Sequence, residues 1–267
     1  LLADERLNAW LEGSWSFTND DRTGVEGDAN AIRLDGGVTY RVQARTALGA
    51  KFRYRTASSD RDDGSQATDT SGIGGAIFAQ IGIPGGAVLT PIVAYERTST
   101  DLDLTAGGVT VSSTFISDVY TVGAGLSRRF GLGDYWVEPN AALSYVTAIR
   151  DDHVRSDGAA INGATVVQGT AVLGPTFGTH IKRPFDGVRR LDPSIGFNGV
   201  WTFRDGGNFV AANGTLVRPV RLSGTLSAGM GALLDNGAHI RLSGSWSGIG
   251  SDVQGGSVTA RLTMPLY

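Results

Sequence analysis

The chain has 267 residues, a formal net charge of −3 and no cysteine. The small charge argues against a polyanionic partner such as nucleic acid, and the absence of cysteine excludes disulfides and thiolate metal sites. No run of about 18 apolar residues occurs, so the sequence predicts no transmembrane helix. The chain begins Leu1-Leu2 without a charged and then apolar leader, so we expect a mature segment from which any targeting signal has been removed.

Alternation of apolar and polar side chains runs along nearly the whole chain and predicts strands with one apolar and one polar face. The second segment opposes two sets of residues, Ile32, Leu34, Val38 and Tyr40 against Arg33, Asp35, Thr39 and Arg41. About twelve such segments follow one another, and most have the roughly 9–11 residues that a tilted strand needs to cross a bilayer. Their predicted spans are 7–18, 30–42, 46–58, 71–83, 87–100, 115–130, 135–147, 169–182, 190–204, 215–233, 238–249 and 255–267.

The predicted connections alternate between short and long. Those after the second, fourth, sixth and tenth segments are short, at 43–45, 84–86, 131–134 and 234–237. Those after the first, third, fifth and seventh are longer and polar, as in "SDRDDGSQATDT" and "DLDLTAGGVTVSST". Membrane barrels have tight periplasmic turns and longer outer loops in this order. The stretch "RPFDGVRRL" is an exception, because it is a longer connection where a tight turn is expected.

Two folds fit this alternation, a closed membrane barrel and a soluble sandwich or solenoid. Twelve long strands with one apolar face each would need two unusually large sheets, whereas closure into a barrel removes every edge and leaves the apolar face to lipid. We therefore predict an all-β fold, a transmembrane antiparallel up-and-down β-barrel of about twelve strands and of the outer-membrane type. The polar face then lines the lumen, at Arg33, Asp35, Arg41, Lys51, Arg53, Arg55, Glu96, Arg129, Glu138, Asp192, Arg204, Arg221, Arg241 and Arg261.

Three stretches occur in a recognisable order: "RLDGGVTYRVQARTALGAKFRYRT", "YWVEPNAALSYVTA", and "LSGTLSAGMGALLDNGAHIRLSGSWSG" followed by "GGSVTARLTMPLY". Together they resemble the second hairpin, a middle strand and the three closing strands of the translocator domain of autotransporters, the type V secreted proteins of Gram-negative bacteria. The resemblance implies a 12-stranded barrel, here 7–267, located in the bacterial outer membrane, which exports and anchors an N-terminal passenger. In that family a linker helix threads the pore, so we interpret 1–6 as the remnant of a linker whose helix is absent from this chain.

The resemblance also implies partners and an assembly signal. The partners are outer-membrane lipid, the chain's own passenger and linker helix, and the barrel assembly machinery. The signal is expected at the C-terminal residues Leu262, Met264, Leu266 and Tyr267. Tyr267, however, is one step out of phase with the apolar residues before it. Three alternatives would explain this phase: a bulge near Pro265, a further aromatic residue after Tyr267 in the native protein, or a variant signal.

The residues offer no catalytic or metal-binding constellation. His153, His180 and His239 lack metal-ligand spacing, and the serines that follow His239 lie on its own strand, too far for a nucleophile–base hydrogen bond. We therefore predict no enzyme activity, no catalytic or metal site and no cofactor. Aromatic residues near strand ends are predicted instead to form the interfacial girdles, namely Trp10, Trp15, Tyr54, Tyr95, Tyr145, Trp201 and Trp246.

Two functions follow from these expectations. The first is translocation and surface anchoring of a passenger through a polar-lined barrel. The alternative is a stand-alone outer-membrane pore, or a surface receptor or adhesin, whose long outer loops bind a ligand. The sequence encoded upstream of Leu1 distinguishes them, because only the first function needs a passenger there.

Overall fold

Twelve long strands make up most of a computed structural model of the chain, which describes residues 6–23, 25–205, 209–210, 216–217 and 220–266. We number these strands β1 to β12 in chain order. They are Leu7–Asp20, Gly27–Gln43, Thr46–Arg61, Gln66–Gly82, Ala87–Ala106, Val109–Arg128, Tyr135–Arg150, Ala164–Thr179, Val188–Asp205, Leu222–Leu234, His239–Ile249 and Val253–Pro265. None of the described residues lies in a helix, so none of them forms a helix that could cross a membrane.

The twelve strands close into a ring. Each strand pairs antiparallel with the next in the chain, and β12 returns to β1 with Asn8 opposite Pro265 and Asp20 opposite Val253. A closed ring leaves no unpaired edge, so the backbone groups of every strand find partners in their two neighbours. The structure therefore confirms the predicted antiparallel up-and-down barrel of twelve strands.

The strands are longer than predicted at one end of the barrel, which we call the loop end. β5 and β6 have 20 residues each and meet at the two-residue turn Gly107–Gly108, inside a predicted long connection. Their extensions pair through polar contacts such as the Thr105 and Thr110 hydroxyls, 2.9 Å apart. Backbone pairing requires no apolar outer face, so β5 continues where its outward positions become polar, at Asp101 and Asp103.

The stretch 183–191 is not an exception to the turn pattern. Ile181–Phe185 pairs back onto the start of β9, and the chain reverses at Asp186–Gly187, where Gly187 has a φ of 80°. Glycine adopts this left-handed conformation without steric cost, which allows a tight turn. The predicted tenth segment needs correction, because β10 begins at Leu222 and the residues Leu216–Val217 pair with Phe209–Val210 instead.

Apolar side chains cover the outside of the barrel. Ile77, Val122, Leu143 and Leu173 are each more than half exposed, and they represent a set that extends over all twelve strands. Exposure of so many large apolar side chains is unfavourable in water and is the expected state of a surface that contacts lipid. The opposite face of the strands therefore faces the interior, and it carries the charged residues described below.

Candidate functional site: the charged inner face

Asp35 is the centre of the largest charge cluster on the inner face. This carboxylate is almost completely buried, and it accepts hydrogen bonds from Arg53 Nε at 2.8 Å and from Arg53 Nη2 and Lys51 Nζ at 3.2 Å. Arg33 Nε lies 3.5 Å from the same carboxylate. Asp35 and Arg53 are direct cross-strand neighbours on β2 and β3, so the register itself brings the central pair together.

Two further carboxylates extend this cluster around the wall. Glu12 on β1 contacts Arg33 at 3.2 Å and Arg261 of β12 at 3.7 Å, and it therefore bridges the seam where the barrel closes. Glu96 on β5 contacts Arg55 at 3.0 Å and Arg53 at 3.8 Å. We call these eight side chains the inner network; they are Glu12, Arg33, Asp35, Lys51, Arg53, Arg55, Glu96 and Arg261.

Glycines of β4 allow the network to cross from β3 to β5. Gly72 lies between Arg55 and Thr98 in the register, and an ideal Cβ on it would lie 2.7 Å from the Glu96 carboxylate. The next inward position, Gly74, separates Arg53 from Glu96, and its Cβ would lie 2.4 Å from the Tyr95 carbonyl oxygen. Because neither residue has a side chain, the carboxylate on β5 reaches the guanidinium groups two strands away.

A second cluster lies towards the tight-turn end. Arg129 Nε donates to Glu138 at 2.8 Å, and its guanidinium lies 3.9 Å from the ring of the buried Trp136. His180, which is stacked near Trp136, contacts Asp192 through Nδ1 at 2.6 Å, and Arg190 contacts the same carboxylate at 2.9 Å. We call these residues the turn-end cluster.

The structure distributes the fourteen predicted lumen positions unequally. Seven belong to the inner network and three, Arg129, Glu138 and Asp192, to the turn-end cluster. Three others, Arg41, Arg221 and Arg241, have no ion pair with any residue that the structure describes.

Arg204 is the remaining position, and its predicted inward orientation is wrong. A register shift between β8 and β9 places Arg204 opposite Gly169, whose other neighbour is Tyr145. The Arg204 guanidinium lies 5.9 Å from the Tyr145 ring, on the face that carries the exposed Val122. The bulge adds one residue and reverses the alternation, which a strict two-residue period cannot anticipate.

The sequence prediction also missed inner residues. Trp10 is buried and lies 4.3 Å from the Arg261 guanidinium, so its assignment to an outer aromatic girdle is wrong. Trp10 and Glu12 share the parity opposite to Leu11 and Trp15, and this alternation was the signal that could have placed both inside. His180 becomes a neighbour of Asp192 only through the hairpin at Gly187, which alternation does not show. Arg190 shares the parity of Asp192 two residues away on β9, so the same alternation could have placed it inside.

The C-terminal strand tests one explanation for the phase of the final aromatic residue. Pairing with β1 continues without a register shift through Pro265, and the Leu266 amide donates to the Leu7 carbonyl at 2.9 Å. The proposed bulge near Pro265 is therefore absent from the described part of the strand. Val258, Met264 and Leu266 are exposed on the outer face, whereas Tyr267 lies outside the described residues.

Comparisons with known proteins agree with this architecture. The family model described as the autotransporter β-domain matches residues 9–245. The translocator domain of the autotransporter NalP from Neisseria meningitidis has a TM-score of 0.80 and 13% identity, over 98% of this chain and 90% of that one. The β domain of the Bordetella autotransporter BrkA has a TM-score of 0.77 and 16% identity, over 98% and 100%. These structures are similar in fold, and no curated protein matches the chain.

Proposed function

Because the chain belongs to the autotransporter β-domain family, we propose that it carries an N-terminal passenger across the outer membrane and anchors it at the cell surface. As a family member, it is a translocator barrel of the bacterial outer membrane.

The observation that best supports this proposal is a closed ring of strands with charged residues on its inner face. A polypeptide in transit must keep its peptide groups hydrogen-bonded to water or to the wall, because an unsatisfied group costs several kcal/mol in an apolar medium. An inner face with guanidinium and carboxylate groups holds water, so an extended or helical segment can pass without losing its solvation. The predicted lumen residues other than Arg204 supply this lining in our proposal.

Segments at the two ends of the chain complete the proposal. We assign 1–6 to the linker that joins the barrel, 7–267, to the passenger. Leu262, Met264, Leu266 and Tyr267 are proposed as the signal that the barrel assembly machinery reads, and lipid is proposed to contact the exposed apolar face. We expect no enzymatic activity in this domain, because its role requires binding and passage only.

Surface exposure of a fused reporter tests the proposed function. A reporter domain with a signal peptide is placed upstream of Leu1 and expressed in a Gram-negative host. We expect protease added to intact cells to digest the reporter, whereas the same reporter secreted without the barrel should be protected in the periplasm. A reporter that stays protected while the barrel shows heat-modifiable mobility, and is therefore folded, would contradict translocation and favour the stand-alone pore.

A further inference from the structure

Cations and carboxylates of the inner face differ in their access to water. The Asp35 side chain is 2% exposed, whereas the Arg33 side chain that contacts it is 36% exposed. The Glu96 side chain is 12% exposed and that of Arg55 is 38%. Asp192, at 14%, lies beneath Arg190, at 42%. The carboxylates are thus covered by their own partners, and water in the lumen meets mainly guanidinium groups.

The inner network also carries a net positive charge. The inner network joins three carboxylates to five cations, which leaves two positive charges in excess. Arg241, which has no ion pair with any described residue, lies beside Arg261 in the register of β11 and β12 and increases this excess. The chain as a whole has a net charge of −3, so its acidic residues are concentrated elsewhere.

We infer that the unoccupied barrel is an anion-selective channel. A lumen with walls of low dielectric constant focuses the field of fixed charges, and rings of Arg or Lys side chains favour the entry of anions. The exposed guanidinium groups raise the local concentration of chloride, while the carboxylates are ion-paired and have little contact with the water that carries potassium. This property goes beyond the proposed function, because the export of a polypeptide requires no choice between small ions.

Reversal potentials in planar bilayers test the inference. The refolded barrel is inserted between KCl solutions of unequal concentration, and we expect the permeability of chloride to exceed that of potassium. The preference should be clear near 0.1 M salt, where the Debye length is about 10 Å, and should weaken near 1 M, where it is about 3 Å. Equal permeabilities at low salt, a preference for potassium, or the absence of any conductance would each overturn the inference.

A pair of arginine variants assigns the selectivity to the inner face. Arg241→Gln removes an exposed inner charge that takes part in no described ion pair, so the fold should be retained and the preference for chloride should fall. Arg97→Gln is the matched control, because Arg97 is exposed on β5 between Ile73 and Asp118, on the outer face. We expect no change in selectivity for it. Equal effects of the two variants would show that the inner charges do not select anions.

This test is independent of the reporter experiment. A barrel that exposes the reporter but conducts without preference keeps the proposed function and loses the further inference. A barrel that selects chloride but never exposes the reporter keeps the further inference and loses the proposed function. The two failures are therefore distinguishable.

Discussion

Asp35→Asn removes the central charge of the inner network while preserving the shape of the side chain. In the wild type this carboxylate compensates three cations, with Arg53 and Lys51 in hydrogen-bond contact at 2.8 and 3.2 Å. The amide retains one acceptor oxygen but leaves Arg33, Lys51 and Arg53 without their shared counter-charge. Breaking a buried ion pair typically costs about 3–5 kcal/mol. Because the three cations keep access to lumen water, we expect a loss of about 2–3 kcal/mol in the free energy of unfolding.

Urea unfolding in detergent micelles, followed by tryptophan fluorescence, measures this loss as a lower midpoint with an unchanged slope. Asp103→Asn is the matched control, because Asp103 is an exposed carboxylate on the loop-end extension of β5 and should leave the midpoint unchanged. A loss below about 0.5 kcal/mol for Asp35→Asn would refute the reasoning, since exposed ion pairs already contribute that much.

Two further substitutions test the faces and glycines of the barrel. Phe197→Arg places a charge on an exposed outer position of β9. Near the midplane of the bilayer this change should lower the free energy of unfolding by about 2–4 kcal/mol, as measured by urea unfolding in vesicles. An unchanged midpoint would contradict the outward orientation of Phe197. Gly74→Ala places a Cβ against the backbone of Tyr95 and Glu96 and should cost about 1–3 kcal/mol in the same assay. Gly13→Ala is its control, because no atom lies within 4 Å of the added Cβ, and equal stabilities of the two variants would contradict the close approach at Gly74.

The strand number, the antiparallel order and the closure of the barrel were predictable from the sequence because the strands alternate between an apolar outer face and a polar inner face. The predicted strands are too short at the loop end, where the outward positions of β5 become polar. Around Gly107 the alternation continues in the opposite phase, because Asp101 and Asp103 take the outward parity of Tyr95 while Leu102 and Leu104 take the inward one, and the strands pair there through polar contacts such as that of the Thr114 hydroxyl with Asp101.

The inner face was predictable only in part. Parity places Asp35 and Arg53 on one face, but the register of adjacent strands determines that they are direct neighbours, and register depends on turn geometry. The bulge at Arg204 illustrates the limit, because one inserted residue reverses the facing of the side chain. The bridge from Glu12 to Arg261 joins the first and last strands, so it exists only once the ring has closed.

The inner network is internally paired, and this has a consequence for a barrel whose lumen changes its contents. Each of its carboxylates contacts at least one cation on another strand of the wall, so no charge that would be costly to bury depends on a passing segment for its partner. If the carboxylates were unpaired until the lumen was filled, the empty barrel would lose stability each time a segment departed. Pairing within the wall separates the stability of the barrel from its occupancy, and the exposed ends of the guanidinium groups remain available to whatever enters.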